Sequence, residues 1–188
     1  MPLFLPSAIP EGRLVAGGTT YYSVPGVDAV AVSSVVLTAN NDRYEPIIVV
    51  TPITLDRLAV EVTAASAGGT TIRLAIFTAG PDWQPTALVI DAGTVAADAN
   101  AIVTATINQA LAAGRYLFAL NSDAGPTLRT IQGGSRMPGY QLGANAIINR
   151  MTVARTYGAF SSPGTAVAAP GASTTPMQHA IFCRVSAP

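Results

Sequence analysis

Residues 58–77 read LAVEVTAASAGGTTIRLAIF. The first seven alternate: Leu58, Val60 and Val62 point one way, Ala59, Glu61 and Thr63 the other. A period of two is that of a strand with one buried face. TIRLAIF, at 71–77, repeats the pattern with Ile72, Leu74 and Ile76 inward and Arg73 outward. Between the two runs Ala67, Gly68 and Gly69 supply a turn. Strand, small-residue turn, strand is the unit from which the rest of the chain can be read.

The same period recurs on both sides of it. AVAVSSVVLTA, at 29–39, is rich in β-branched residues, and YEPIIVVTPITL follows with Pro46 and Pro52 marking strand edges. Downstream come ALVIDAG, then IVTATI with Val103, Ala105 and Ile107 on one face, then GRYLFAL with Tyr116, Phe118 and Leu120 on one face. NQALAAG has room for one helical turn and no more. AIFCRV closes the chain as a strand apolar on both sides, which places it in the middle of the structure. Short strands separated by turn signals predict an all-β fold, a sandwich or a barrel. With 188 residues the chain makes one domain with an arm. The domain spans 21–188 and includes a Gly/Ala/Pro-rich variable region at 131–178; residues 1–20 form an extended N-terminal arm. Pro2, Pro6 and Pro10 oppose a helix there, while Leu3, Phe4, Leu5 and Ile9 give the arm apolar contacts with which to dock on another subunit or on its own domain.

Composition narrows the function classes. Only 11% of the residues are charged, against about a quarter in a typical chain, and the formal net charge is zero. Little repulsion keeps copies apart, which suits a subunit covered by neighbours. All ten basic residues are arginines, scattered without a basic run, so the footprint of a nucleic-acid partner is missing. No apolar window is long enough for a transmembrane helix, and the start lacks the positive region of a signal peptide. Cys183 is the single cysteine and reads as a buried thiol, which excludes a disulfide-stapled fold.

Catalytic patterns are not legible. Gly133-Gly134-Ser135-Arg136 continues with Met137 where a hydrolase elbow needs glycine, and a phosphate loop needs a lysine the chain does not have. One histidine and one cysteine give no zinc-ligand spacing. His179, before the last strand, reads as a strand-edge side chain. Among the seven aspartates and three glutamates, nothing in the spacing of Asp56, Glu61, Asp82 and Asp91 pairs two of them across a cleft. The reading is therefore of a protein that is not an enzyme and needs no metal or cofactor.

Three stretches carry a resemblance: TPITLDRLAVEVTAASAGGTTIRLAIFTAGPDWQPTALVIDAGTV, IVTATINQALAAGRYLFAL and AIFCRV. Together they resemble a domain of phage and prophage structural proteins of the tail-fibre or head-spike kind; a gene transfer agent particle would suit the same parts. The resemblance lies in Asp56, Arg57, Val60 to Thr63, Arg73, Leu74, Ile76, Ala87 to Val89, Asp91 to Val95, Leu111, Gly114 and Tyr116. It covers about residues 40–130 and the last strand, and not 131–178. It implies an antiparallel β-sandwich, jelly-roll-like, on the exterior of a virion assembled in the bacterial cytoplasm, a trimer of copies, other virion proteins held through the arm, and attachment to a bacterial surface polysaccharide. The alternative it leaves open is a capsid decoration protein that stabilises the particle and binds no ligand.

The loop GPDWQP, between the β-rich runs, holds the one tryptophan, Trp83. Its ring serves either to pack beneath a proline-fixed turn or, with Asp82 and Gln84, to stack on a sugar. Tyr140 and Tyr157 are the other candidate ligand-binding aromatics. If the last strand is central, deleting AIFCRV abolishes cooperative unfolding in urea; a soluble truncation with a normal transition would refute that placement.

Overall fold

In the computed structural model, residues 22–23, 29–81, 83–133, 140–141, 146–147, 151–161 and 177–186 are described. The arm residues Leu3, Phe4, Leu5 and Ile9, and Asp82, lie outside them. The elements are β1 (Tyr22–Ser23), β2 (Ala29–Val36), β3 (Asn41–Val49), β4 (Ile53–Ala64), β5 (Thr71–Ala79), β6 (Pro85–Ala96), β7 (Ala101–Leu111), β8 (Gly114–Ser122) and β9 (Thr127–Gly133), followed by the short β10 (Tyr140–Gln141), β11 (Ala146–Ile147), β12 (Met151–Ala154), β13 (Met177–His179) and β14 (Phe182–Val185). There is no helix among the described residues. NQALAAG makes no helical turn: β7 runs on to Leu111, whose side chain is 1% exposed and which pairs with Ile53. Burial of Ile107 and Leu111 on one face outweighs a local helical preference.

All the pairings are antiparallel. β2, β9, β4 and β7 form one sheet, and β3, β8, β5 and β6 form the other, with β12 added at the edge of β3. These two four-strand orders are those of a jelly roll, the double-sheet arrangement built from two Greek keys. β12 pairs with β3 only between Asn41 and Tyr44, so at Pro46 the strand has β8 as its neighbour and no second ladder needs the missing N–H.

Between the sheets lies the main core. β4 contributes Leu58, Val60 and Val62, β5 contributes Ile72, Leu74 and Ile76, and β8 contributes Tyr116, Phe118 and Leu120, all on the faces that the alternation assigned inward. Leu55 joins them out of phase, across a register slip between Leu55 and Arg57. The turn after β4 closes with Thr70 N–H donating to Ala67 O at 3.2 Å, and Gly69 takes φ +85°, a conformation glycine adopts without steric cost.

The chain end enters the first sheet. β4 and β9 pair directly only at Val62 and Ala64, and further along β14 lies on β4 and β13 on β9. Since β9 is antiparallel to β4, the chain reverses between β13 and β14, at the buried Ala180 and Ile181. β14 is flanked by β4 and β1, so its central place is as the apolar run predicted. Its burial nonetheless alternates: Cys183 and Val185 join the core, while Phe182 is half-buried and Arg184 forks onto Asp56 at 2.8 and 2.7 Å. Burial pushes the Cys183 thiol up to about 12, which makes it an inert core group.

Phe118 is wholly buried at the centre of β8. Phe118→Ala is expected to lower stability by about 4 kcal/mol, and Ile102→Ala, at a site 62% exposed, by less than about 0.5 kcal/mol. Urea midpoints of the two variants check the contrast.

Candidate functional site

The outward face of the second sheet is where the structure gathers what the sequence scattered. On the odd-numbered side of β8, Leu117 and Ala119 are as buried as the residues of the main core. With Tyr44, Ala75, Phe77, Trp83 and Phe160 they form a second apolar cluster on the far side of the sheet. The rings of Tyr44 and Phe160 each meet Phe77 edge-on at 5.7 Å. Such edge-to-face pairs add to the area they bury.

Two segments cover this face. One is the loop joining β5 to β6. Trp83 N–H donates to Gly80 O at 3.0 Å and Gly80 N–H donates to Gln84 O at 2.9 Å, which closes the hairpin. Trp83 takes φ +62°, a left-handed conformation that is costly for a bulky side chain. The strain turns the indole into the cluster, where it is 8% exposed. Arg115 holds the loop from outside: its guanidinium carbon lies 5.5 Å from the Trp83 ring centroid and Nη1 donates to Pro81 O at 3.1 Å.

The other cover is residues 155–160, a strap that leaves the sheet edge after β12 and crosses to β6. Arg155 Nε lies 2.6 Å from Asp42 Oδ2, and its guanidinium carbon lies 4.5 Å from the Phe160 ring centroid. Tyr157 N–H donates to Asn40 Oδ1 at 2.8 Å, and its hydroxyl is 2.7 Å from Thr71 Oγ1. Phe160 N–H donates to Asp91 Oδ2 at 3.0 Å.

Beneath the strap runs a row of polar side chains. Asp42, 2% exposed, accepts hydrogen bonds from Asn121 Nδ2 at 2.7 Å and from the Tyr44 hydroxyl at 3.2 Å. Burial holds the Asp42 carboxyl above the usual range, against the opposing pull of Arg155 and the two hydrogen bonds. Burial, with Asp42 beside it, pushes the Tyr44 phenol up as well. Asp91 accepts both of its short contacts from Arg73 Nε, at 2.9 and 2.8 Å, and a third bond from Gly93 N–H at 3.0 Å. The β5–β6 register slips there, Leu74 facing Gly93 and Ala75 facing Asp91, and Gly93 takes φ +80°. The sequence DAG is therefore a carboxylate-capped bulge.

The other outward face, on the first sheet, carries a shallow groove of about 360 Å³. Glu61 and Arg129 line it, and they are forked together at 3.0 and 2.6 Å. Arg129 holds the Glu61 carboxyl below its usual range, chiefly through that hydrogen bonding.

The sugar-binding candidates are not brought together. Trp83 lies beyond one end of β5 and Tyr157 beside Thr71 at the other, a separation of about 27 Å along an eight-step strand. Gln84 is half-buried in the hairpin. Tyr140 sits in β10 opposite Ile147, and its side chain is outside the described residues. Asp56, Glu61 and Asp91 meet Arg184, Arg129 and Arg73, each a separate cross-strand pair. No three of His, Cys, Asp and Glu gather to hold a metal among the described residues, and no helix is long and apolar enough to cross a membrane.

Sequence reasoning missed Asp42, Asn121, Arg155 and Phe160. One signal was available: YLFAL, at 116–120, is apolar without a break and so reads as a strand covered on both faces. No protein-family model matches the chain, and no curated protein matches it.

The ion pairs set an acid limit. Hydrogen bonding from Arg184, then its charge, lowers the Asp56 carboxyl below 3.8 in the folded chain. Its stabilising effect is thus complete above the unfolded value and is lost as pH falls through the lowered one. Asp42, raised by burial, works in the opposite sense. Asp56→Asn is therefore expected to be less stable than the parent by about 1 kcal/mol at pH 7, with the gap closing as pH falls below the unfolded carboxyl value and through the lowered one. Urea titrations at a series of pH values measure it; a gap independent of pH counts against the pair.

Proposed function

We propose that the chain is a structural subunit of a phage-like particle, displayed outside it as a small spike, head fibre or fibre tip and contributing to attachment to host-surface glycan. One observation carries this. Several residues through which the chain resembles phage structural proteins are the ones that lock its strands: Asp56 with Arg184, Arg73 with Asp91, and Gly93 in the capped bulge. The resemblance is thus one of scaffold. The sparse charge of the chain fits a building block. Copies of one chain on a particle would bind glycan multivalently, so weak single sites suffice. Three copies is the number the resemblance implies, with the N-terminal arm as the link to other virion proteins.

A second reading, a decoration protein that stabilises the capsid and binds no sugar, is favoured by the burial of Trp83 in the second cluster. Both readings make the protein a non-enzymatic part of a particle.

Particles lacking the chain separate them. Attachment predicts that adsorption to host cells falls at least about tenfold with particle stability unchanged, a multivalent loss. Decoration predicts normal adsorption and disassembly at a lower temperature. Trp83→Ala in the purified chain refines the outcome: about 3 kcal/mol of lost stability with binding to isolated host polysaccharide unchanged removes the tryptophan from the attachment site. Absence of the protein from purified particles overturns both.

A further inference from the structure

Among the described residues β2 is an edge strand: it pairs with β9 and with no other. Its sequence, AVAVSSVV, has no charge and no proline, the devices that ordinarily stop an edge from accepting another strand. Val32 is 63% exposed and Val36 58%, and Ser34 between them is exposed too.

The direction of its free backbone groups follows from one bond. Leu37 N–H donates to Pro126 O at 2.8 Å, on the β9 side. In an antiparallel ladder the N–H and C=O of one residue point to the same side, and the side alternates along the strand. Ser33 and Val35 therefore face β9 with Leu37. Val32, Ser34 and Val36 point their N–H and C=O away from it, and these are the residues with exposed side chains.

We infer that β2 pairs antiparallel with β2 of a second copy about a two-fold axis through Ser34. A partner strand must offer outward groups with the same alternation, and β2 itself does. Centred on Ser34, the pairing sets Val32 opposite Val36 of the other copy, Ser34 opposite Ser34, and Val36 opposite Val32. Each of these three pairs exchanges two hydrogen bonds, about six in all. The exposed valines then meet valines on the outer face, and β-branched cross-strand pairs favour association. No like charges meet, because the strand has none. The two first sheets become continuous through β9-β2-β2-β9. A contact of this isologous kind closes at two copies and does not propagate. It depends on backbone geometry and not on the particle reading, and it is a different contact from the three-fold one that the resemblance implies.

The test is the mass of the full-length chain in solution, by light scattering over a concentration series, alongside two variants. Ser34→Pro removes an N–H that points away from β9, so the β2–β9 ladder keeps its bonds. Val36→Lys puts a charge on the edge. The expected result is a dimer for the parent chain and, for both variants, a dissociation constant raised at least about tenfold with unchanged circular dichroism and, at concentrations where all are monomeric, an unchanged urea midpoint. A monomeric parent overturns the inference, as does any oligomer, a trimer included, whose mass neither variant changes. A trimer of that kind leaves the particle-subunit reading standing, whereas a β2 dimer absent from purified particles sinks that reading alone.

Discussion

A strand buried on both faces has to be covered twice, and from Tyr116 to Ser122 β8 is such a strand. Residues 116–122 are all buried, 8% exposed at most. The inward side chains, Tyr116, Phe118 and Leu120, are met by the first sheet, as in any sandwich. The outward ones, Leu117, Ala119 and Asn121, are met by two pieces of chain that are not sheets: the Trp83 hairpin and the strap at 155–160. Among the described residues, a sandwich of two sheets thus carries a thin third layer on one side and none on the other.

That third layer explains where the polar residues are spent. Covering Asp42 and Asn121 takes them out of water, and a buried charge without partners is severely destabilising. Arg155, Asn121 and the Tyr44 hydroxyl gather on Asp42 for this reason. Asp91 joins the strap, β5 and its own bulge through one carboxylate. A strained Trp83 backbone persists because its indole is held in the cluster and under Arg115. Groups that could have been read as chemistry are thereby committed to holding strands and straps in place.

The first sheet differs. Its outer face leaves Val32, Val36 and Ile102 exposed, and among the described residues its β2 edge carries no guard. Sandwich proteins that work alone usually blunt such an edge. A subunit that meets its own copies has less need to, and in a chain with so few charges the asymmetry between one closed face and one open one is the feature most relevant to assembly.

How much of this was legible in the sequence depended on the range of the interaction. The alternation at 58–63 and 71–77 assigned the inward faces of β4 and β5 correctly, because the period of a strand is a local property. The central place of AIFCRV was legible in its apolar run for the same reason. The candidate site was less legible. Trp83 stood out by composition, but whether its ring faced solvent or the cluster turned on the conformation of one backbone residue and on Arg115, thirty-two positions away. The strap was invisible, since nothing local in 155–160 says that it crosses β3 and β6. NQALAAG has room for a helical turn and forms none, because its helical preference is local and the burial of Leu111 against Ile53 is not. By itself the sequence determined the strands, their buried faces and the all-β class. Only the tertiary structure decided the jelly-roll order, the second core and the partners of each carboxylate, because those follow from contacts between residues far apart in the chain.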